Sequence, residues 1–184
     1  MTAGSPRIRR GEPGDAAALT RVAASLFIQS YAASIDAATI DEHVAAHFEE
    51  AIQRAELNDP GTVTLLVEHG PDVVGFAQVR RAAAPGGSDC AADVELWRIY
   101  VDRSWHGTGL ARQLLGAVVD VARSMGATGV WLSVWDQNPK AIAFYRKHGF
   151  RQVGQQPYTV GSEVQSDLVM CARLEALEAV RLAG

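Results

Sequence analysis

The sequence predicts an α/β fold built on a mixed sheet, with the element order β-α-α-β-β-β-α-β-α-β-β. Segments with apolar residues at helical spacing alternate with short runs rich in β-branched and aromatic residues, which is typical of this class. Glycine, proline, asparagine and aspartate separate the segments. The 184 residues suffice for a sizeable core, and we expect one domain over 1–184, with residues 1–6 flexible.

The N-terminal part predicts a short strand near Ile8 and then two helices. The first helix covers "AAALTRVAASLFIQSYA", and the second covers "IDEHVAAHFEEAIQRAEL" up to the turn signal "NDPG". The β-branched runs "TVTLLVEHG" and "DVVGFAQVRR" flank the turn signal "GPD" and predict a hairpin. The loop "AAAPGGSD" and the strand "DVELWRIYV" follow.

The C-terminal part predicts two more helices and three strands. A helix from about Leu110 to Ser124 has one apolar face. The strand "GVWLSVW" follows, and then the helix "PKAIAFYRKH", which has a proline in its first turn and a glycine at its end. The runs "RQVGQQPYTV" and "SDLVMCARL" predict the last two strands.

Charge and composition argue against several function classes. The chain has 17 Lys and Arg against 21 Asp and Glu, a formal net charge of −4 at pH 7. Without a run of basic residues it is poorly suited to a phosphate backbone, so we expect no nucleic-acid partner. A small cationic substrate suits a mildly acidic chain.

Cysteine usage and hydropathy indicate the cellular compartment that we expect for the chain. Cys90 and Cys171 lie far apart and match no metal-ligand spacing, so we expect a reduced, cytoplasmic protein. No apolar stretch follows the basic N-terminus "MTAGSPRIRR", which therefore does not resemble a signal peptide. No apolar run approaches the ~20 residues that cross a bilayer, so we expect no membrane partner.

The stretch "YVDRSWHGTGLARQLL" passes from a predicted strand through two glycines into a helix. A dinucleotide fingerprint needs a third glycine where Arg112 stands, and a P-loop needs a lysine followed by Ser or Thr, so neither motif matches. Two interpretations remain. Either the N–H groups of the helix start bind a phosphate that Gly107 and Gly109 allow to approach closely, or the glycines only permit a tight turn.

A second segment, "WDQNPKAIAFYRKHGF", follows a predicted strand and ends at a glycine stop. With the glycine corner and the tail "VGSEVQSDLVMCARL" it resembles the GNAT superfamily of N-acetyltransferases, in particular the bacterial spermidine/spermine acetyltransferases of the PaiA type. The likeness covers roughly residues 93–174, and residues 93–150 would form the cofactor-binding core. The family's pyrophosphate pattern, Gln/Arg-x-x-Gly-x-Gly/Ala, falls on His106, Gly107, Thr108, Gly109, Leu110 and Ala111, beside Arg112. His106 departs from the usual Gln or Arg.

The resemblance implies direct transfer of acetyl from acetyl-CoA to a primary amine, with a polyamine-like acceptor and with CoA as product. It implies that Glu95 is the general base and that Tyr145 donates a proton to the leaving thiolate. The backbone of Ile99, Tyr100 and Val101 would pair with the pantetheine arm of the cofactor. Asn138, at the start of the next helix, would also contact the CoA arm.

The first two helices would cover the acceptor, with Phe27 and Tyr31 in contact with it and Glu95 at the reacting amine. Three acidic side chains of that region, Asp36, Asp41 and Glu42, would favour a polyamine, although an acidic helix surface is the commoner explanation of such residues. GNAT domains also often dimerise, so the resemblance implies a homodimer.

Each assignment has a structural alternative. Glu95 could be an exposed edge-strand carboxylate, Tyr145 could only pack on the sheet, and Asn138 could only cap its helix. His43 and His47 share a helix face, but no third ligand is apparent and we expect no metal. The alternative for the whole chain is a non-catalytic CoA-binding sensor or interaction module of the same fold.

Overall fold

A computed structural model describes residues 4–86, 88–161 and 163–182, with side chains as far as Glu178. Its regular elements are β1 (Arg7–Arg10), α1 (Ala16–Tyr31), α2 (Ala37–His47), α3 (Glu50–Asn58), β2 (Thr62–His69), β3 (Asp72–Arg81), β4 (Val94–Val101), α4 (Leu110–Ser124), β5 (Gly129–Trp135), α5 (Pro139–Lys147), β6 (Arg151–Val160), β7 (Glu163–Arg173) and α6 (Leu174–Leu182). In this described part of the chain, no helix combines the length and the apolar character that a membrane span requires.

The strands form one seven-stranded mixed sheet in the order β1-β2-β3-β4-β5-β7-β6. β1 is antiparallel to β2, with Ile8 opposite Val67. β4 is parallel to β5, with Glu95 opposite Trp131. Parallel neighbours need a crossover connection, which α4 supplies. The predicted α/β fold with a mixed sheet is therefore confirmed.

Two details of the predicted element order are wrong. The second predicted helix is two helices, because Phe48 leaves helical geometry at φ −123° and ψ 17° and Glu49 is extended. Phe48 is 2% exposed, so the break places an aromatic ring in the core. Gln53 of α3 donates to the carbonyl of His47 at 2.9 Å and satisfies the end of α2. The second difference is α6, a C-terminal helix that the sequence analysis did not predict.

The chain divides into two compact units, and β3, β4 and α4 each contribute residues to both. Unit 1 is Met1–Gln78, Arg98–Leu114 and Val160–Glu163, and unit 2 is Val79–Trp97, Leu115–Thr159 and Val164–Gly184. The core of unit 1 gathers buried side chains of α1, α2 and the strands, among them Leu19, Phe27, Phe48, Leu66 and Phe76. Of residues 1–6, which we expected to be flexible, residues 1–3 lie outside the described residues.

Unit 2 contains a smaller cluster around Trp131, which donates its indole N–H to the Ala82 carbonyl at 2.7 Å. Within this cluster Cys90 and Cys171 form a disulfide, although 81 positions separate them in the sequence. The expectation of reduced cysteines is therefore wrong for this structure. Cys90 lies in the loop before β4 and Cys171 lies in β7, so only tertiary structure brings the two sulfurs together.

We expect the disulfide to stabilise the oxidised protein by about 2–4 kcal/mol, because it reduces the number of conformations that a long loop can adopt in the unfolded chain. Reduction with dithiothreitol should lower the midpoint of thermal unfolding, measured by calorimetry. Cys90→Ser is the control, since its midpoint should not respond to the reductant. Titration of two free thiols in the purified, unreduced protein would contradict the prediction.

Candidate active site

Two glycines form the corner between β4 and α4, and both have left-handed backbone conformations. φ is +80° at Gly107 and +88° at Gly109, a region that residues with a Cβ rarely adopt. A Cβ added at either position would meet no atom within 4 Å. The glycines therefore serve the backbone conformation, and the space above them is open to a ligand.

The corner leaves backbone donors without partners. Within the described part of the chain, no hydrogen bond engages the N–H groups of Gly107, Gly109, Ala111 and Arg112. The Gln113 N–H makes the first bond of the helix, to the Gly109 carbonyl at 3.1 Å. Unpaired donors at the positive end of a helix dipole attract a pyrophosphate. Of the two interpretations of the glycines, this geometry favours the phosphate site.

The side chains of His106 and Thr108 form hydrogen bonds within this corner. Nε2 of His106 lies 3.1 Å from the Val101 carbonyl oxygen, and a carbonyl only accepts, so the imidazole donates there. The Thr108 hydroxyl donates to the Trp105 carbonyl at 2.8 Å and accepts from the Leu110 N–H at 3.4 Å. In this geometry the His106 ring ties the loop to β4 instead of extending toward the open face.

The backbone of β4 distinguishes among the three residues predicted to pair with pantetheine. The Asp102 N–H donates to the Val74 carbonyl of β3 at 2.8 Å. Because successive residues of a strand direct their N–H and C=O groups to alternate edges, Tyr100 also faces β3, whereas Ile99 and Val101 face the other edge. The approach to β3 is close, since a Cβ on Gly75 would lie 2.8 Å from the Tyr100 carbonyl oxygen. Ile99 and Val101 are therefore the better candidates for backbone pairing with a ligand.

Glu95, the predicted base, lies on a central strand and is 5% exposed. Arg80 donates its Nε–H to Oε2 of Glu95 at 2.6 Å, and the Arg80 guanidinium lies 3.8 Å from the ring centroid of Trp97. An exposed edge-strand carboxylate does not describe this residue. The ion pair holds the carboxylate in place and also supplies a structural role for it, so its role as a base stays a prediction.

α5 positions the other two predicted residues of unit 2. Tyr145 is 8% exposed, and its ring packs edge-on against Phe144 and Phe150 with centroids 5.5 and 5.6 Å away. Asn138 caps the helix, because its Oδ1 accepts from the Ala141 N–H at 3.1 Å. Both residues thus have a packing or capping role, and their contacts with CoA stay predictions.

The two aromatic residues predicted to contact the acceptor belong to the core of unit 1. Phe27 is 4% exposed, and its ring stacks on His43 with centroids 4.3 Å apart and lies 4.7 Å from the ring of Tyr31. Burial, followed by the charges of His47 and Arg98, lowers the pKa of His43 to about 4. Its imidazole is therefore neutral at pH 7 and behaves as an aromatic core residue.

The acidic side chains of α2 have simpler explanations than an acceptor site. The Asp36 carboxylate caps the helix by accepting from the Thr39 N–H at 3.0 Å and from its hydroxyl at 2.5 Å. These hydrogen bonds keep the pKa of Asp36 below its ordinary value. Asp41 and Glu42 are exposed, as expected of an acidic helix surface.

A buried polar network in unit 1 was not predicted. Nη1 of Arg98 donates to Oε2 of Glu56 and to Oε1 of Gln78, both at 2.7 Å, and Nε2 of Gln78 donates to Glu56 at 2.8 Å. The side chains of Arg98 and Glu56 are only 9% and 13% exposed. Gln78 and Arg98 are polar residues inside the apolar runs of β3 and β4, and they were the sequence signal from which this network could have been predicted. Paired in this way, they satisfy one another and fix the strands rather than offering charge to a ligand.

Asp167 in β7 is a second residue that sequence reasoning missed, and it is not satisfied in this way. It is 6% exposed, and no donor in the described part of the chain hydrogen-bonds to its carboxylate. Burial, together with the negative charge of Asp136, raises its pKa from 3.8 to about 6. Above that pH it is a buried anion without a cation beside it. Its only sequence signal was an acidic residue at the start of the apolar run "LVMC".

The described residues contain no group of three or more His, Cys, Asp or Glu side chains arranged to hold a metal ion.

Comparison with known proteins identifies the family. The model of the Acetyltransferase (GNAT) family matches residues 28–150. An uncharacterized N-acetyltransferase of Mycobacterium tuberculosis is 34% identical over 141 residues, covering 74% of this chain and 86% of the relative. The aminoglycoside N(6')-acetyltransferase type 1 of Stenotrophomonas maltophilia is 27% identical over 159 residues, covering 86% of this chain and 94% of the relative.

Solved structures agree on the fold. The PaiA N-acetyltransferase of Thermoplasma acidophilum, solved in complex with coenzyme A, superposes with a TM-score of 0.74 at 18% identity, covering 92% of this chain and 99% of that chain. The family match extends over the glycine corner, β4 and α5. The chain belongs to the Acetyltransferase (GNAT) family and is an N-acetyltransferase that uses acetyl-CoA as its cosubstrate.

Proposed function

We propose that the chain acetylates a primary amine of a small, multiply charged acceptor of the polyamine type. The observation that carries this proposal is the buried Asp167 carboxylate without a counter-ion, which a cationic acceptor would neutralise. One similar protein supports it by name, the aminoglycoside N(6')-acetyltransferase type 1, since an aminoglycoside carries several amino groups. The net charge of −4 is compatible with a cationic substrate.

For the cofactor, we propose that the unpaired N–H groups of Gly107, Gly109 and Ala111 hold the pyrophosphate of acetyl-CoA. The thioester would then lie along β4, where the backbone of Ile99 and Val101 faces the edge away from β3. An N–H group on that edge is suited to stabilise the oxyanion that develops on the acetyl carbonyl. These contacts require no metal.

For the chemistry, we propose a direct transfer with Glu95 and Tyr145 as the proton-transferring groups. An alkylamine has a solution pKa near ~10.4 and is mostly protonated at neutral pH, so Glu95 removes its proton directly or through a water. The neutral amine nitrogen attacks the acetyl carbonyl to form a tetrahedral intermediate. The nitrogen then loses its extra proton to solvent, and the carbon–sulfur bond breaks to leave the amide and the CoA thiolate. Tyr145 donates its phenolic proton to the departing thiolate and recovers one from solvent. Arg80 holds the Glu95 carboxylate in one orientation and acts as a positioning residue.

Substituting the two groups tests this mechanism. We expect Glu95→Gln to lower kcat/KM for the amine by about 10²-fold and Tyr145→Phe to lower kcat by about 10-fold, because each removes one proton transfer. CoA affinity, measured by calorimetry, should change little in either variant. Turnover is followed as thiol release from acetyl-CoA with polyamines, aminoglycosides and peptides as acceptors.

Two matched variants control for surface and packing effects. Glu50→Gln alters a half-exposed glutamate that pairs with Arg54 on α3, and Tyr158→Phe alters a tyrosine that is 39% exposed. Both should keep wild-type turnover. If Glu95→Gln and Tyr145→Phe also keep it, the proposed roles are wrong. If the wild type binds CoA but acetylates no amine, the non-catalytic sensor is the better description.

The glycine corner gives a separate prediction for cofactor binding. Gly109→Ala forces a Cβ into a left-handed conformation at φ +88°, which should cost on the order of 1 kcal/mol of stability and shift the donors. We expect its Kd for CoA to rise about 10-fold or more. Gly126→Ala is the matched control, because Gly126 has φ +75° and equally open space but lies beyond the other end of α4. Equal CoA affinity in both variants would contradict the pyrophosphate assignment.

A further inference from the structure

Asp167 and the predicted base lie on the same face of the sheet in unit 2. Glu95 is opposite Trp131 in the parallel pair of β4 and β5. Trp135 lies four residues along β5 and, because strand side chains alternate, points to the same face as Trp131. Asp167 is directly opposite Trp135 in the antiparallel pair of β5 and β7, and opposite residues share a face. Two strand pairings therefore connect Glu95 to Asp167.

The two carboxylates are well separated on that face. Four residues of strand span roughly 13 Å, and two strand spacings add roughly 10 Å in the perpendicular direction. An acceptor that reaches both must be extended, as a long diamine or a polyamine is and an amino acid is not. The surface between them is polar as well as aromatic, because Gln156 donates to the Ser133 hydroxyl at 2.5 Å and Ser133 lies on the same face of β5.

In the described part of the chain, no cation pairs with Asp167, and an aromatic side chain lies opposite it. The charge that acts on its pKa is that of Asp136, another carboxylate. Arg146 of α5 lines a cavity with Asp136 and forms no ion pair with Asp167. The indole of Trp135 is the cross-strand neighbour. An alkylammonium satisfies a carboxylate by a charge-assisted hydrogen bond and an indole by a cation–π contact.

We propose that Asp167, with Trp135 beside it, binds the ammonium group of the acceptor that is not acetylated and so selects amines with a second positive charge. This inference rests on the proposed function and names the residue that determines its acceptor class. Burial of an uncompensated anion destabilises a fold, and such groups are kept where a ligand uses them. Glu95 deprotonates one end of the acceptor, and Asp167 holds the other end in its charged form.

The test compares 1,10-diaminodecane with decylamine, which share one carbon chain and differ by one charge, because the carbon chain must be long enough to reach from Glu95 to Asp167. In the wild type we expect kcat/KM to be at least about 10-fold higher for the diamine, and in Asp167→Asn we expect this preference to fall to about 2-fold. Turnover of decylamine should change little. Asp72→Asn, at an exposed aspartate of β3, is the control and should keep the preference. An unchanged preference in Asp167→Asn overturns the proposal.

A second readout does not depend on turnover. Decamethonium is a longer bis-quaternary cation that cannot be acetylated. With CoA present it should bind the wild type through its charge and a cation–π contact, and it should bind Asp167→Asn about 10-fold more weakly. Equal affinities overturn the role of Asp167. If decamethonium binds through Asp167 but no amine is acetylated, the acceptor class proposed above is wrong and the cation site stands.

The same variant separates a binding role from a structural one through its stability. Because the pKa of Asp167 is raised to about 6 in the folded protein, the folded state binds this proton more tightly than the unfolded chain. Its stabilising contribution is therefore largest below about pH 4 and is lost as the pH rises to about 6. Asp167→Asn should unfold at a higher temperature than the wild type above pH 6, with a smaller difference at pH 4. A lower unfolding temperature at pH 7.5 would show that the carboxylate has a structural partner and would contradict the proposal.

Discussion

The parallel pairing of β4 with β5, at Glu95 opposite Trp131, is the constraint on which the rest of the candidate site depends. A strand shifted by one residue presents its other set of side chains, so this register decides that Glu95 shares a face with the polar and aromatic residues of β5. The antiparallel register of β5 with β7 extends that face to Asp167. A crossover helix is the topological consequence of the parallel pair, and its first turn supplies the N–H groups that we propose bind the pyrophosphate.

Some polar groups of the protein are paired with one another, and others are not. The Arg98, Glu56 and Gln78 network is buried and mutually satisfied, which is how a core tolerates charge. The Asp167 carboxylate and the N–H groups at Gly107 and Gly109 have no such partners in the described part of the chain. In the proposed mechanism, the N–H groups bind the cofactor pyrophosphate and the Asp167 carboxylate binds the cationic acceptor. A bound cofactor and a cationic acceptor would satisfy both, so we expect the substrates to stabilise the folded chain.

Local sequence patterns predicted most of the fold, whereas contacts between distant segments escaped them. The glycine corner, the apolar face of α4 and the Asn138 cap depend on residues close in sequence, and each is present. The break at Phe48 was missed because helical spacing continues through it, and the core decides that the ring turns inward. The disulfide was missed because its cysteines are 81 positions apart. Likewise, the segment "SDLVMC" shows that an acidic residue is present. It does not show that the neighbouring strands provide no cation for this residue.

The residues of the candidate site were likewise predicted where a local motif carries them and missed where distant segments meet. The resemblance of two motifs to a known family named Glu95, Tyr145 and the pyrophosphate loop, and the family is confirmed, while the individual roles stay predictions. Only the paired strands show that Arg80 is the partner of Glu95 and that the backbone of Tyr100 faces β3. The proposed acceptor site has no local motif, because Glu95, Trp135 and Asp167 come from three separate segments, β4, β5 and β7.

The most direct test of this account is a crystal structure with a bisubstrate analogue, CoA joined through an acetyl linker to one end of a polyamine. We predict that the pyrophosphate accepts hydrogen bonds from the backbone of Gly107, Gly109 and Ala111. The linked nitrogen should face Glu95, and a distal ammonium should lie within about 3 Å of the Asp167 carboxylate. A pyrophosphate bound away from the glycine corner, or a polyamine chain that leaves the face shared by Glu95 and Asp167, would contradict the account.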